Sequence, residues 1–340
     1  ILEYAVAASA VSVGWSNYFI GFVQNFFGVG LPEALTKGYF AEAGGFINLP
    51  AVAIALLVTA LLVIGTKESA NFNAVLVVIK VVALAAFVAL AVPVMRLENF
   101  EPFAPLGFAG ISAAAAMIFF AYVGFDAVST AAEETKDPQR NVPIGLIGSL
   151  VICTIFYLLV AAGAIGAMGA QPVRDAAGVA LDPGSIALSQ RCDALLAMGQ
   201  DPLACSDEAL AHVLRVIGWE QVGNLVGLAA FLALPSVVLM MLFGQTRIFF
   251  VMSRDGLLPE KLSKIHPRYK TPYIVTIITG VFVTLAAAFF PVGQLANISN
   301  SGTLFAFFMV SIAVMVLRRN QPDRHRPFRV PLVWVIAPLS

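Results

Sequence analysis

Hydrophobic residues occur along this chain in blocks of about 20, the length that an α-helix needs to cross the hydrocarbon core of a bilayer. Short polar runs separate the blocks, and this alternation predicts an all-α transmembrane protein with eight complete spans. A further apolar block begins near Pro331 and stops at Ser340, and Ile1 already lies in an apolar stretch. We therefore expect residues 1–340 to form a single polytopic membrane domain that is incomplete at both ends. The predicted spans lie near residues 4–23, 49–65, 72–94, 110–130, 143–169, 220–245, 273–290 and 302–317.

The amino-acid composition agrees with a membrane protein and says little about a ligand. Hydrophobic residues make up 59% of the chain and charged residues 12%, whereas soluble domains are about one quarter charged. A water-soluble fold could not bury this much apolar surface. The formal net charge is zero and there is no basic tail, so no nucleic-acid partner is predicted.

The charged residues between the spans predict how the chain is oriented. With eight spans, the loops 66–71, 131–142, 246–272 and 318–330 share one face and hold 14 of the 20 Lys and Arg residues, against five on the other face. The positive-inside rule places the first face in the cytoplasm. The longest loop, at about 170–219, is then external.

Two cysteines, Cys192 and Cys205, lie in that external loop, while Cys153 lies within a span. The exterior is oxidising, so the two external thiols could form a disulfide bond. Spacing alone does not establish the pairing, and two unpaired thiols in a variable loop are the alternative. No metal-ligand spacing accompanies these cysteines, so neither a metal nor another cofactor is predicted.

The spans lack the groups that a membrane enzyme would need. All three histidines, His212, His266 and His325, fall in loops. A nucleophile with a base, a buried metal or a pair of carboxylates is therefore not expected within the spans. A passive channel would need a continuous polar lining, which the spans do not have.

Lys80 and Asp126 are the ionisable residues that lie well inside complete spans. Lys80 stands about 12 Å from the cytoplasmic start of its span, too deep for its ammonium group to reach the surface comfortably. Intramembrane charges are costly and usually serve function, so we predict that Lys80 couples proton movement to substrate movement. A permanently charged lysine that bridges helices is the alternative. Asp126 lies near the cytoplasmic end of its span, where a carboxylate more often caps a helix or anchors a loop.

The span at 110–130 contains a run of aromatic residues around a glycine, from Phe119 to Asp126. Such a run can interrupt a helix, and unwound backbone persists in a membrane only where protein or a water-filled cavity satisfies its amides and carbonyls. Those groups match the α-amine and α-carboxylate of an amino acid. The alternative is that Gly124 is a close-packing contact and the aromatic side chains are ordinary core or lipid contacts.

Other polar positions occur at Ser236, directly after Pro235, and at residues 299–302, which precede the last complete span. Hydroxyl groups at mid-membrane can coordinate an ion or a lysine. More often, Ser and Thr side chains in spans hydrogen-bond to their own helix.

Two stretches of the chain resemble the amino acid, polyamine and organocation (APC) transporter superfamily, especially the bacterial relatives of the cationic amino acid transporters. Residues 244–259, GQTRIFFVMSRDGLLP, are similar to the inner loop of that superfamily, and residues 119–143, FFAYVGFDAVSTAAEETKDPQRNVP, to its sixth helix and following loop. The resemblance implies a LeuT-like bundle of inverted helical repeats, truncated here to about family helices 3 to 10 and the start of helix 11. The first helix, which holds the substrate carboxylate in the family, would be absent.

The resemblance also implies which residues act in transport. Lys80 falls where proton-coupled members have a lysine in place of a sodium ion, and Ser236 lies near the same region. These residues predict a proton-coupled amino acid permease, a multi-pass protein of the cell membrane and specifically of a bacterial inner membrane. The alternatives are an exchanger or facilitator, or a nontransporting nutrient sensor of the same fold, and the amino acid itself is not predicted. The substrate would contact the broken sixth helix at Phe120, Ala121, Tyr122, Val123 and Gly124.

Overall fold

The computed structural model describes residues 2–41, 45–65, 70–125, 137–181, 185–206, 208–323 and 332–339. Within these ranges the chain forms α-helices and short 3-10 turns, with isolated β-bridges in place of strands. The predicted all-α class is confirmed. The α-helices of these ranges are α1 Leu2–Phe27, α2 Glu33–Thr36, α3 Leu49–Ile64, α4 Ala70–Ala91, α5 Gly107–Ile118, α6 Pro138–Met168, α7 Ile186–Ala197, α8 Ala209–Val216, α9 Glu220–Arg254, α10 Tyr273–Phe289, α11 Val292–Asn320 and α12 Val333–Leu339.

Several of these helices are suited to crossing a membrane. In the described part of the chain, five helical segments are long and apolar enough to span a bilayer: Glu3–Phe27, Ala74–Val94, Pro138–Met168, Glu220–Arg254 and Val292–Asn320. Each overlaps one predicted span. The remaining three predicted spans coincide with the shorter apolar segments Leu49–Ile64, Gly107–Tyr122 and Tyr273–Phe289.

Two helices extend well beyond the spans predicted for them. Helix α9 continues to Arg254 rather than ending near residue 245, and α11 begins at Val292 rather than near residue 302. Hydropathy detects only the apolar part of a helix, whereas the helical backbone continues through polar residues that have partners. The prediction that residues 299–302 precede the span was therefore wrong, because they lie inside α11, where Ser299 and Asn300 are buried.

Helix α1 packs against α3, α9, α10 and α11. Its buried face consists largely of alanine and serine, and such small residues allow helix backbones to approach closely. The hydroxyl groups of Ser9 and Ser12 donate to Ala5 O and Ala8 O of the same helix, at 2.9 and 2.8 Å. Helix α1 therefore satisfies these buried hydroxyls locally, as sequence analysis expects for most serines in spans.

The loop predicted at about 170–219 contains α7, α8 and a disulfide bond between Cys192 and Cys205. The pairing that the sequence left open is thus present in the structure. A partly buried ion pair lies in the same loop, because Arg215 Nη2 donates to Glu208 Oε2 at 2.8 Å. Arg215 Nε also donates to Asn224 Oδ1 at 3.0 Å, which connects α8 to the start of α9.

Candidate functional site

Helix α5 is interrupted within the predicted span. Its α-helical part ends at Ile118, a 3-10 turn continues to Tyr122, and turns follow to residue 125. Gly124 has a φ of +108°, which side-chain-bearing residues rarely adopt, and a Cβ there would lie 2.7 Å from Met241 Cε of α9. The predicted departure from α-helical structure is present at residues 119–125, and Gly124 is also a close contact between helices. Asp126 lies outside the described residues.

Helix α6 holds the interrupted segment on one side. The Tyr157 hydroxyl donates to Ala121 O at 2.7 Å, and the hydroxyl oxygens of Tyr122 and Thr154 are 3.0 Å apart. The rings of Tyr122 and Tyr157 meet edge to face, with centroids 5.2 Å apart. The side chain of Phe120 packs instead on the apolar core formed by α1, α3, α10 and α11. The segment Phe119–Phe125 is therefore held in a defined position although it is not α-helical.

Helix α11 holds the same segment on another side. Asn300 Nδ2 donates to Ala116 O and Met117 O, at 2.9 and 3.1 Å. These carbonyls belong to the last turn of α5, and Met117 O also accepts the backbone N–H of Phe119. Phe307 of α11 packs on the rings of Phe119 and Phe125, with centroid distances of 6.1 and 5.4 Å. Asn300 was not among the predicted site residues, although the polar run at 299–302 was the signal for it.

The predicted proton-coupling residues Lys80 and Ser236 are in direct contact. Lys80 Nζ of α4 donates to Ser236 Oγ of α9 at 2.9 Å, across 156 residues of sequence. The Ser236 hydroxyl in turn donates to Ala233 O at 2.8 Å, which leaves its oxygen lone pairs directed to the ammonium group. Ser236 is buried and Lys80 is partly buried. The hydroxyl at mid-helix thus bonds both its own helix and the lysine.

Pro235 explains the local structure of α9 beside this contact. A proline has no N–H, so the carbonyl of Phe231, four residues earlier, lacks its usual helical donor. Trp15 Nε1 of α1 donates to Phe231 O at 2.8 Å, and the rings of Trp15 and Phe231 are stacked with centroids 5.5 Å apart. The helix therefore continues through the proline because another helix supplies the missing donor.

Helix α9 connects the two parts of the candidate site. Ser236, which contacts Lys80, and Met241, which lies against Gly124, are five residues apart on this helix. That spacing corresponds to about 7.5 Å along the helix axis. A shift of α9 that alters the contact between Lys80 and Ser236 would therefore also alter the contact between Met241 and Gly124. Across the described ranges, no group of three or more His, Cys, Asp or Glu side chains could hold a metal ion.

Comparison with known proteins identifies the class of this chain. Residues 2–340 match the family model described as amino acid permease. The chain is 42% identical to the branched-chain amino acid permease BcaP of Bacillus subtilis and 38% identical to the methylthioribose transporter of the same species. Both alignments cover 100% of this chain and 67% of the relative. The cationic amino acid transporter 1 of Arabidopsis thaliana is 30% identical over 94% of this chain and 48% of its own length.

These relatives are transporters, so the expectation that the protein is not an enzyme is confirmed. Together with the apolar helices, the bacterial relatives indicate a multi-pass protein of the cell membrane. The family match over residues 2–340 also confirms the resemblance to the APC superfamily. The chain belongs to the amino acid permease family.

Proposed function

We propose that this protein is a secondary active transporter that moves an amino acid together with a proton by alternating access. The observation that carries the proposal is the hydrogen bond of 2.9 Å between Lys80 and Ser236 inside the apolar helices. Through this bond the ionisable group of Lys80 on α4 contacts α9, the same helix that contacts Gly124. A proton site next to a helix break suits coupling, because one movement of α9 would change both the contact at Lys80 and the contact at Gly124.

The proposed fold is a LeuT-like bundle in which residues 1–340 form one membrane domain. The chain would correspond to about helices 3 to 10 and the start of helix 11 of two inverted repeats. The interruption of α5 supports this assignment, because discontinuous helices form the substrate site in such folds.

The end of α5 suits the α-ammonium group of an amino acid. Carbonyls at the C-terminal end of a helix have partial negative charge and favour a cation. Ala121 O accepts the Tyr157 hydroxyl and, as a carbonyl oxygen, has a second lone pair for an ammonium hydrogen. In the proposal, Phe120 closes over the substrate, and the backbone of Ala121, Tyr122, Val123 and Gly124 surrounds its polar end.

Lys80 and Ser236 form the proposed proton site. When Lys80 is protonated, its ammonium group makes a charge-assisted hydrogen bond to Ser236 Oγ, and such bonds are about twice as strong as neutral ones. This bond holds α4 on α9. Loss of the proton weakens the bond, so α4 and α9 can separate more easily. Binding and release of the proton thereby bias the relative position of the two helices, which is the differential interaction that a conformational change needs.

The relatives suggest which compounds to test as substrates. One relative is named for branched-chain amino acids and others for cationic amino acids, so these two classes come first. The relative named for methylthioribose is 38% identical over the whole chain, which makes that compound a second candidate. Methylthioribose has no ammonium group and would not use the negative end of α5. A competition assay, in which methylthioribose is added during uptake of a labelled amino acid, therefore distinguishes the two candidate substrates.

The proposal is tested by uptake of labelled amino acids into proteoliposomes, with and without an inward proton gradient. The permease is expressed as the full product of its gene. We expect the gradient to drive accumulation by the native protein and Lys80→Met to abolish the response, because the variant has no group to protonate. Ser236→Ala should weaken the response about tenfold or more, the effect of losing one hydrogen bond to a charged group.

Ser9→Ala is the matched control for Ser236→Ala. Ser9 is also buried and donates to a carbonyl of its own helix, but it lies on α1 and bonds Ala5 O. Its replacement should leave the gradient response unchanged. If uptake does not depend on the proton gradient in either the native protein or Lys80→Met, the protein is an exchanger or facilitator. Binding without uptake would indicate a sensor, and uptake of methylthioribose alone would establish the second candidate.

A further inference from the structure

Asn300 of α11 lies against the end of the interrupted helix α5. Its side chain is buried, and only 3% of the residue surface is exposed. The carboxamide nitrogen donates to Ala116 O and Met117 O at 2.9 and 3.1 Å. These two bonds orient the whole side chain, because an amide nitrogen donates and its oxygen accepts.

The oxygen of this carboxamide is buried and has no hydrogen-bond partner within the described part of the chain. Buried polar atoms are nearly always hydrogen-bonded, since an unpaired one retains the full cost of its desolvation. Oδ1 and Nδ2 belong to one planar group, so the oxygen also lies beside the end of α5. The partner of Asn300 Oδ1 must be a hydrogen-bond donor. The ammonium group of an amino acid is such a donor, and in the proposed transport cycle it would bind beside the end of α5.

We infer that Asn300 Oδ1 accepts a hydrogen bond from the α-ammonium group of the bound substrate, while Nδ2 fixes the helix end that this ammonium approaches. The inference rests on the proposed function and names the residue that selects for an amino group. Phe307, about two turns further along α11, supports the arrangement through its ring contacts with Phe119 and Phe125. Helix α11 is therefore held against this segment at Asn300 and again at Phe307.

The test compares two ligands that differ only at the amino group. One is the amino acid that the native permease takes up best, and the other is its 2-oxo acid, used as a competitor of uptake. We expect Asn300→Leu to raise the KM of the amino acid about 10- to 100-fold, as loss of one hydrogen bond to a charged group would do. The inhibition constant of the 2-oxo acid should change much less, so the preference for the amino acid falls.

Asn300→Asp provides the opposite change. The carboxylate retains an acceptor for the ammonium and adds a charge, while the donors to Ala116 O and Met117 O are lost. The preference for the amino acid over the 2-oxo acid should rise above the native value even if the transport rate declines. If Asn300 only capped α5, both substitutions would weaken the binding of the amino acid and of the 2-oxo acid equally, and the preference would stay unchanged.

Thr303→Val is the matched control. Thr303 is 1% exposed, lies one turn from Asn300 on α11 and donates to Ser299 O of its own helix. Its replacement should leave the preference at the native value. An unchanged preference in Asn300→Leu overturns the inference; if that variant does not reach the membrane, an unchanged preference in Asn300→Asp does so. Failure of the native permease to take up any amino acid would refute the proposed function itself.

Discussion

Three polar side chains at the site find partners on other helices. Lys80 donates to Ser236, Asn300 donates to the end of α5, and Trp15 donates to the carbonyl of Phe231. A polar group without a partner costs several kcal/mol in hydrocarbon. Such contacts therefore restrict where each helix can lie far more than an apolar contact of the same area does.

Trp15→Phe tests this effect at the carbonyl that Pro235 leaves without a helical donor. The substitution retains an aromatic ring against Phe231 but removes the Nε1 donor, so Phe231 O is left without a donor in a partly buried site. We expect the free energy of unfolding to fall by about 1–3 kcal/mol. The measurement is denaturant-induced unfolding of the permease in detergent.

Trp219→Phe is the control for that experiment. Trp219 precedes α9 and is 49% exposed, so its replacement should change the free energy of unfolding by less than about 0.5 kcal/mol. Equal effects of the two substitutions would mean that the Trp15 donor contributes nothing beyond its ring.

At the scale of helices, small residues determine how closely neighbours pack. Helices α3 and α10 are in contact, and Gly280 of α10 is buried against Thr59 of α3. A Cβ at position 280 would lie 2.8 Å from Thr59 Cβ and would clash with both branches of that side chain. Thr59 is β-branched and its hydroxyl donates to Ala55 O at 2.7 Å, so it cannot easily move aside.

Gly280→Ala should therefore force α3 and α10 apart. We expect a loss of about 1–3 kcal/mol in the free energy of unfolding, the usual effect of overpacking a core. Thermal unfolding in detergent measures this effect. Gly14→Ala in α1 is the matched control, because a Cβ there meets nothing within 4 Å.

The control substitution Gly14→Ala has its own expected effect on the free energy of unfolding. Replacement of a helical glycine by alanine at an unobstructed site stabilises a helix by up to about 1 kcal/mol. Gly14→Ala should accordingly be neutral or slightly stabilising. If Gly280→Ala proved equally harmless, the close approach of α3 and α10 would not be required by the fold.

At the scale of the whole molecule, the disulfide bond joins α7 to the segment that leads into α8, and Arg215 joins α8 to α9. The loop at 170–219 is thus connected covalently within itself, and the hydrogen bond from Arg215 to Asn224 connects it to the helical bundle. Cys153 in α6 is a free thiol. The disulfide and the thiol can therefore be probed separately.

Reduction should expose two further thiols to a maleimide label without altering Cys153. The double substitution Cys192→Ser and Cys205→Ser should make the loop more sensitive to external protease, because the unlinked segment loses about 2–4 kcal/mol of stabilisation. Cys153→Ser is the control and should leave the protease sensitivity unchanged. A native protein that already labels at both loop cysteines without reduction would contradict the disulfide.

Sequence by itself determined the class of this protein and the approximate places of its apolar helices, and it indicated a helix break near Gly124 as one of two alternatives. These depend on local properties: hydropathy over about 20 residues for a span, and a glycine among aromatic residues for a helix break. Sequence also singled out Lys80, because a charge deep in an apolar block is conspicuous without any knowledge of its neighbours.

Only the tertiary structure decided which polar groups meet. The contact of Lys80 with Ser236 joins residues 156 positions apart, and that of Asn300 with Met117 joins residues 183 apart. The sequence shows that a polar group in an apolar helix needs a partner, but the partner depends on which helix faces are packed together. That choice belongs to the bundle as a whole, because each helix must satisfy its polar groups and bury its small residues against several neighbours at once.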